Sequence, residues 1–407
     1  MDDLGKPLEK GLKPYPLGGG NPARVKDVET LYRNEMERLL SDDSFERLIG
    51  AYDSPQGRMS FIDSVAEYFQ NHHGWNITKD NIAITNGSQS AMFYLFNLFS
   101  GSFGDKKKTI LFPLMPEYIG YADQGIEKDT FVSIPSKCEY YDDNTFKYSL
   151  DIEKVSEYLS SHSEVGAICV SRPTNPSGNV LRTSEIEALA KLAKAHSIPL
   201  LIDNAYGLPF PNIIFTEDSE PIWNEDIILS MSLSKIGLPS IRTGIIIARK
   251  EVAEAISNIN AIAALASGSM GQAMAEELIR TGKLTQIAKE KVKPFYKEKA
   301  AMTEKWIRES FAETEYFLHK IEGSIFCWMY LPRLSIPTKE FYAKLKKKGV
   351  ITVPGEFFFF GHEEEKDGKP YPHPHYDKTL RINYSGQDDL VRDGIKIIAD
   401  TYREYYL

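Results

Sequence analysis

The stretch Asp226-Ile-Ile-Leu-Ser-Met-Ser-Leu-Ser-Lys235-Ile-Gly-Leu-Pro-Ser-Ile-Arg242-Thr-Gly-Ile-Ile-Ile-Ala248 decides how this chain is read. Its ends, 226–231 and 244–248, are short apolar runs rich in β-branched residues and bounded by turn signals, so each reads as a buried strand. Between them lies a lysine flanked by hydroxyls and glycine, with an arginine seven residues on. Burying an ammonium is costly, and the usual escape is a depressed pKa or a covalent partner. A lysine amine freed of its proton is the nucleophile for Schiff-base chemistry with an aldehyde. Ser232, Ser234 and Arg242 suit a phosphate, Arg242 through a charge-assisted fork. A lone Ser-x-x-Lys is more often a solvated loop, so the case for a pyridoxal phosphate site rests on partners elsewhere.

Outward from this stretch, strands and helices alternate over about 55–250. Helices are expected at 61–72, 89–99 and 184–196, and strands at 81–85, 109–112, 131–134, 165–170, 199–203 and 227–231. In the 184–196 segment Ile186, Leu189, Ala190, Leu192 and Ala193 fall among charged residues at helical spacing, which makes an amphipathic helix that covers a sheet. Such alternation predicts an α/β domain with a mostly parallel sheet between helices. A basic helical region at 284–311 then leads to strands at 324–330, 350–353 and 380–384 and helices at 338–348 and 387–402, a smaller α+β domain. The expected organisation is an N-terminal segment 1–50 packing with the small domain, a large domain 51–283, and a linking helix with the small domain 284–407.

Ligands in open parallel sheets sit beyond the carboxyl ends of strands, and unusual residues fall there. Thr85-Asn-Gly-Ser88-Gln89-Ser90 ends one strand and opens a helix, whose free N–H groups favour an anion. Ser88 and Gln89 are the candidate phosphate ligands there, although an ordinary Ser N-cap reads the same way. Asp203 closes an apolar strand, and a carboxylate at that depth needs a cation. A pyridinium nitrogen supplies one, and its charge is what makes the cofactor an electron sink. Tyr206 and Asn175 are placed to reach the ring oxygen, and Tyr118 to stack on the ring. Plain turns and core packing compete for each of these. Arg381, within an apolar strand of the second domain, wants a planar anion such as a substrate carboxylate, or a structural ion pair.

Together, Thr85-Asn-Gly-Ser-Gln, Asn175-Pro-Ser-Gly, Asp203-x-x-Tyr206, Ser232-x-Ser-Lys235, Arg242 and Arg381 resemble the signature of the fold-type I pyridoxal phosphate aminotransferases. The likeness spans nearly the whole chain. Finer stretches are similar to the valine–pyruvate aminotransferase subgroup: Leu17-Gly-Gly-Gly-Asn-Pro22, Tyr52-Asp-Ser-Pro-Gln-Gly57, Pro116-Glu-Tyr-Ile-Gly-Tyr121, Ser171-Arg-Pro-Thr-Asn175 and Asp203-Asn-Ala-Tyr-Gly207. The resemblance implies that Lys235 forms the Schiff base and then moves the proton between Cα and the cofactor. Asp203 would pair with the pyridine nitrogen, with Tyr206 and Asn175 on the ring oxygen. Ser88, Gln89, Ser232, Ser234 and Arg242 would surround the phosphate, and Tyr118 would stack. Arg381 and Asn175 would hold the substrate carboxylate under a loop at Gly19 and Gly20. Tyr52 would reach the phosphate of a second subunit, so a homodimer with shared sites is expected. The region from Pro354-Gly-Glu-Phe-Phe-Phe-Phe360 to His375 is expected as a loop near the substrate entrance.

The bulk properties agree with such an enzyme. With 407 residues and 42% apolar content the chain can build two domains. A formal charge of −9 argues against a nucleic-acid partner. The three cysteines are scattered, and Cys169 and Cys327 read as reduced core thiols. The start, Met1-Asp-Asp-Leu-Gly-Lys6, shows no signal-peptide core, and no apolar run reaches the ~20 residues of a membrane helix. The expectation is a cytoplasmic protein without a membrane partner. His373-Pro-His375 lies in a turn-rich stretch and reads as solvated, and no metal is expected. No second cation is assigned to a distal substrate carboxylate, which favours small aliphatic amino acids over aspartate. The expected reaction is ping-pong transfer between valine or alanine and pyruvate or 3-methyl-2-oxobutanoate. The rivals are a C–S β-lyase or another aminotransferase on the same scaffold and, more remotely, an effector-binding protein without catalysis.

Overall fold

The computed structural model describes residues 11–407, so the start at Met1–Lys6 lies outside the described residues. Buried apolar runs form an eight-stranded sheet. Its order is Ile82–Thr85, Gly244–Ile247, Ile227–Ser232, Leu200–Asp203, Val165–Ser171, Lys106–Met115 and Gly101–Phe103, with Phe131–Pro135 also on Lys106–Met115. From Ile227–Ser232 to Phe131–Pro135 the pairings are parallel. Gly244–Ile247 runs antiparallel to both neighbours. The central strands are buried on both faces, as helices on each side of a parallel sheet require. Helix Thr183–Ala195 buries Ile186, Leu189 and Ala193, the face its spacing foretells.

Register decides where the chemistry sits. Ser171 pairs with Asp203, and Asp203 with Ser230. Ser232 pairs with Gly244, and Gly244 with Thr85. The polar ends of four strands, with Gly244 at the start of a fifth, therefore lie along one edge of the sheet.

A six-stranded sheet follows the order Val353–Pro354, Thr379–Asn383, Phe326–Tyr330, Phe317–His319, Thr145–Ser149, Lys137–Tyr141. Its last two strands are a hairpin that the sequence reading did not include, drawn from the middle of the chain. The turn Asp142-Asp-Asn144 signals it, and Asn144 takes the left-handed conformation at φ 59°. The expected strand 350–353 divides at Thr352. Val350–Ile351 pairs with Tyr15–Pro16, while Val353–Pro354 pairs with Thr379–Asn383. The helical region 284–311 contains a π turn at Ala288–Val292 just before helix Lys293–Ser310. Pro294 lacks the N–H that a regular helix would use there, and the wider turn accommodates its ring.

Candidate active site

A cavity of about 880 Å³ opens at the polar strand edge, between the two sheets. Strand Ile82–Thr85 turns through Asn86 and Gly87 into helix Ser88–Phe99. Gly87 has φ +85°, and a Cβ there would strike the Arg242 guanidinium. No side chain caps this helix, so its first N–H groups stay available to an anion. Ser88 Oγ donates to the Met231 carbonyl at 3.2 Å, and Gln89 Nε2 to that of Gly120 at 3.0 Å. Arg242 Nη1 donates to Ser234 Oγ at 3.2 Å, and Ser232 Oγ accepts from the Ser234 N–H at 3.1 Å. Two hydroxyls, a helix terminus and a guanidinium thus converge on one corner of the cavity, a donor set suited to a phosphate.

Lys235 Nζ donates to the Gly20 carbonyl at 2.6 Å and lies 5.5 Å from the centre of the Tyr206 ring. Burial, then repulsion from Arg381 and Arg242, bring its pKa down to about 8, against the opposing pull of Asp203. Asp203 is buried at the end of its strand. Its Oδ2 accepts from Tyr121 OH at 2.5 Å and its Oδ1 from the Ala205 N–H at 3.0 Å. Burial raises its pKa against those hydrogen bonds, so the carboxylate lacks a full counter-charge. A protonated pyridine nitrogen meets that need.

Arg381 sits in the middle of strand Thr379–Asn383. Its guanidinium lies 4.1 Å from the Phe326 ring centre and 5.2 Å from that of Phe358. Nη1 donates to Asn175 Oδ1 at 2.8 Å and Nη2 to the Gly18 carbonyl at 2.7 Å, while Nε is buried without a partner. Burial lowers its pKa to about 10, which leaves it charged. An orphaned buried N–H beside a held guanidinium fits a carboxylate.

The structure brings Ser88, Gln89, Tyr118, Asn175, Asp203, Tyr206, Ser232, Ser234, Lys235, Arg242 and Arg381 to this one cavity, with Gly18 and Gly20. Gly19 lies between those two glycines, its carbonyl accepting from Asn383 Nδ2 at 2.6 Å. Tyr52 is 85% exposed and away from the cavity lining. Sequence reasoning gave no role to Tyr121, Ser171 or Glu117, of which the first two also line the cavity and all three are linked by hydrogen bonds to Asp203. Both Glu117 and Tyr121 lie in the Pro116–Tyr121 motif, which was the available signal.

One expectation needs correction, and one residue the sequence reading did not weigh enters the site: Lys339 lines the cavity, its ammonium 4.7 Å from the Phe357 ring. It comes from a helix 104 residues beyond Lys235, and only the tertiary fold joins them. His373 and His375 are buried, not solvated. His375 bonds Tyr148 OH and Tyr140 OH at 2.7 Å each and stacks on Tyr330, while His373 stacks on Phe359. Aromatic side chains from other elements cover this turn-rich stretch. Phe359, with Val353, Phe357 and Phe360, forms a cavity wall.

The family described as aminotransferase class I and II matches residues 35–398. The valine–pyruvate aminotransferase of Escherichia coli is 45% identical over 385 residues, 94% of this chain and 89% of that protein. Aromatic-amino-acid aminotransferase 1 of Thermococcus litoralis is 28% identical, covering 95% of this chain and 88% of its own length. The crystal structure of valine–pyruvate aminotransferase from Salmonella typhimurium superposes with a TM-score of 0.88 at 43% identity, over 100% of this chain and 98% of the other.

Proposed function

Because the chain belongs to the class I and II aminotransferases, we propose that it transfers an amino group between L-valine and pyruvate, giving 3-methyl-2-oxobutanoate and L-alanine. The transferase activity and the pyridoxal phosphate cofactor follow from that membership. The substrate pair is carried by the likeness to the Escherichia coli enzyme together with the apolar wall of Val353, Phe357, Phe359 and Phe360. A wall of that kind suits an aliphatic side chain.

Bound pyridoxal phosphate supplies an aldehyde for amino groups and a conjugated ring that stabilises negative charge at the substrate Cα. The helix terminus at Ser88, with Ser232, Ser234 and Arg242, would hold its phosphate. Asp203 would keep the pyridine nitrogen protonated. Arg381 and Asn175 would grip the substrate carboxylate and so fix the direction of the Cα–H bond. Lys235, its pKa brought down to about 8, has about a tenth of its amine free at pH 7, far more than an ordinary lysine. Its Nζ takes the proton from the substrate Cα and later returns one to the new amino acid.

In the same reading two copies of the chain share their sites, Tyr52 reaching the partner's phosphate. The exposure of that ring is compatible with this. The protein would work in the cytoplasm, which suits three free cysteines. Among the described residues no helix is long and apolar enough to cross a membrane. Spans 51–283 and 284–407 would be the two domains, with the hairpin at 137–149 lent to the second sheet.

The test is product analysis with reconstituted protein. Valine plus pyruvate should yield alanine and 3-methyl-2-oxobutanoate in equal amounts. Ammonia released from cystathionine without any 2-oxo acid would point to the C–S lyase.

A further inference from the structure

Glu117 is completely buried at the base of the active site. Its Oε1 accepts from the Ser171 N–H at 2.9 Å, and its Oε2 from Ser171 Oγ at 2.6 Å and the Tyr118 N–H at 3.1 Å. Ser171 Oγ lies 3.4 Å from Tyr121 OH, which donates to Asp203 Oδ2. The backbone N–H of Glu117 donates to the Phe358 carbonyl at 3.0 Å, and the Phe358 ring faces Arg381. The carboxyl group therefore touches the supports of two cavity residues, Asp203 and Tyr118, while the backbone of the same residue reaches that of a third, Arg381.

We propose that Glu117 is a positioning residue, which through Ser171 and Tyr121 holds Asp203 against the pyridine nitrogen and through the Tyr118 backbone sets the ring that stacks on the cofactor. The proposal rests on the cofactor reading above.

Packing alone gives no reason for a carboxyl group here. Burying one is costly, and an apolar side chain of similar volume would fill the space. The titratable groups around it are Asp203, Tyr118, Tyr121 and Cys169, all acids. Burial, reinforced by Asp203, lifts the Glu117 pKa to about 8 despite its three hydrogen bonds. Near pH 7 it is mostly neutral: its own O–H then donates to Ser171 Oγ, the Ser171 hydroxyl is free to donate to Tyr121 OH, and Asp203 is left as the anion offered to the pyridine nitrogen.

The test compares Glu117→Gln, Glu117→Leu and Ser171→Ala with the unaltered protein. The readouts are the dissociation constant for pyridoxal phosphate, the pH midpoint of the bound cofactor's visible band, and thermal unfolding of the cofactor-free protein. Glu117→Gln keeps the shape and one acceptor oxygen but turns an amide donor toward one of the two backbone N–H groups, and should fall between the unaltered protein and Glu117→Leu in both readouts. Glu117→Leu and Ser171→Ala should each weaken cofactor binding about tenfold and move the midpoint by about one pH unit. If Glu117→Leu does not fold, Ser171→Ala decides, because it cuts the same path with Glu117 in place. Unchanged midpoint and affinity in Ser171→Ala and in any folded Glu117→Leu overturn the proposal alone. No visible band in the unaltered protein overturns the cofactor reading and the proposal with it.

Discussion

Arg381 Nη1 donates to Asn175 Oδ1 at 2.8 Å, joining residues 206 positions apart in the chain. Arg381 comes from the second sheet, and Asn175 from the loop that follows Val165–Ser171 in the first. Their bond orients a guanidinium whose Nε is still unpartnered. The substrate carboxylate has a defined seat before it arrives, which lowers the ordering cost of binding.

Arg381→Lys keeps the charge but removes the planar fork. The KM for both valine and pyruvate should rise about 100-fold, an effect of about 3 kcal/mol. Cofactor affinity should change little, since the phosphate site lies on other residues. Steady-state kinetics with both substrates, beside a cofactor titration, check this. Equal losses of cofactor and substrate binding would contradict it.

Gly87→Ala places a Cβ against the Arg242 guanidinium, at a backbone φ of +85° that alanine adopts poorly. Arg242 should be pushed off the phosphate corner, and pyridoxal phosphate should bind at least tenfold more weakly. Equilibrium dialysis measures it, and unchanged affinity would remove Arg242 from the phosphate site.

Asp203 presents a stability–function conflict. Its pKa is raised by burial, so its contribution is favourable at low pH and is lost as pH rises through the folded-state value. At pH 7 the unpaired carboxylate destabilises the cofactor-free protein. Asp203→Asn should therefore raise the thermal midpoint of that form while lowering kcat by about 100-fold or more. A lower midpoint together with retained kcat would refute both halves.

Three buried histidines give the fold an acid sensitivity. Burial lowers the pKa of His375 to about 2, of His319 to about 3 and of His373 to about 4. Each is neutral in the fold and takes up a proton on unfolding below the ordinary value near 6.5. Stability is thus full above that value and falls as pH drops from it toward 4. Each histidine adds a slope of about 1.4 kcal/mol per pH unit at pH 5. Denaturant titrations should show His375→Gln with a slope at pH 5 smaller by about that amount, and an unchanged slope would contradict the assignment.

The strands around Lys235 and Asp203 were legible because a parallel sheet covered on both faces needs continuous apolar runs, and polar residues at their ends then stand out. Lys235, Arg242 and Arg381 were legible for the same reason, as cations inside apolar context. Glu117 was not, because nothing local distinguishes a buried glutamate from a solvated one. The histidines at 373 and 375 misled, since turn composition signals exposure while Tyr140, Tyr148 and Tyr330 close over them from distant elements. The hairpin at 137–149 shows a related limit. Its turn could be read, but its place in the second sheet depends on pairing with Phe317–His319, about 170 residues away.

The most direct test records the visible spectrum of the reconstituted protein, adds L-valine alone, and then adds pyruvate. The account predicts that valine abolishes the band of the lysine-bound cofactor and that pyruvate restores it, the two halves of one transfer. A band that ignores valine would contradict the substrate assignment, and the absence of any band would contradict the role of Lys235.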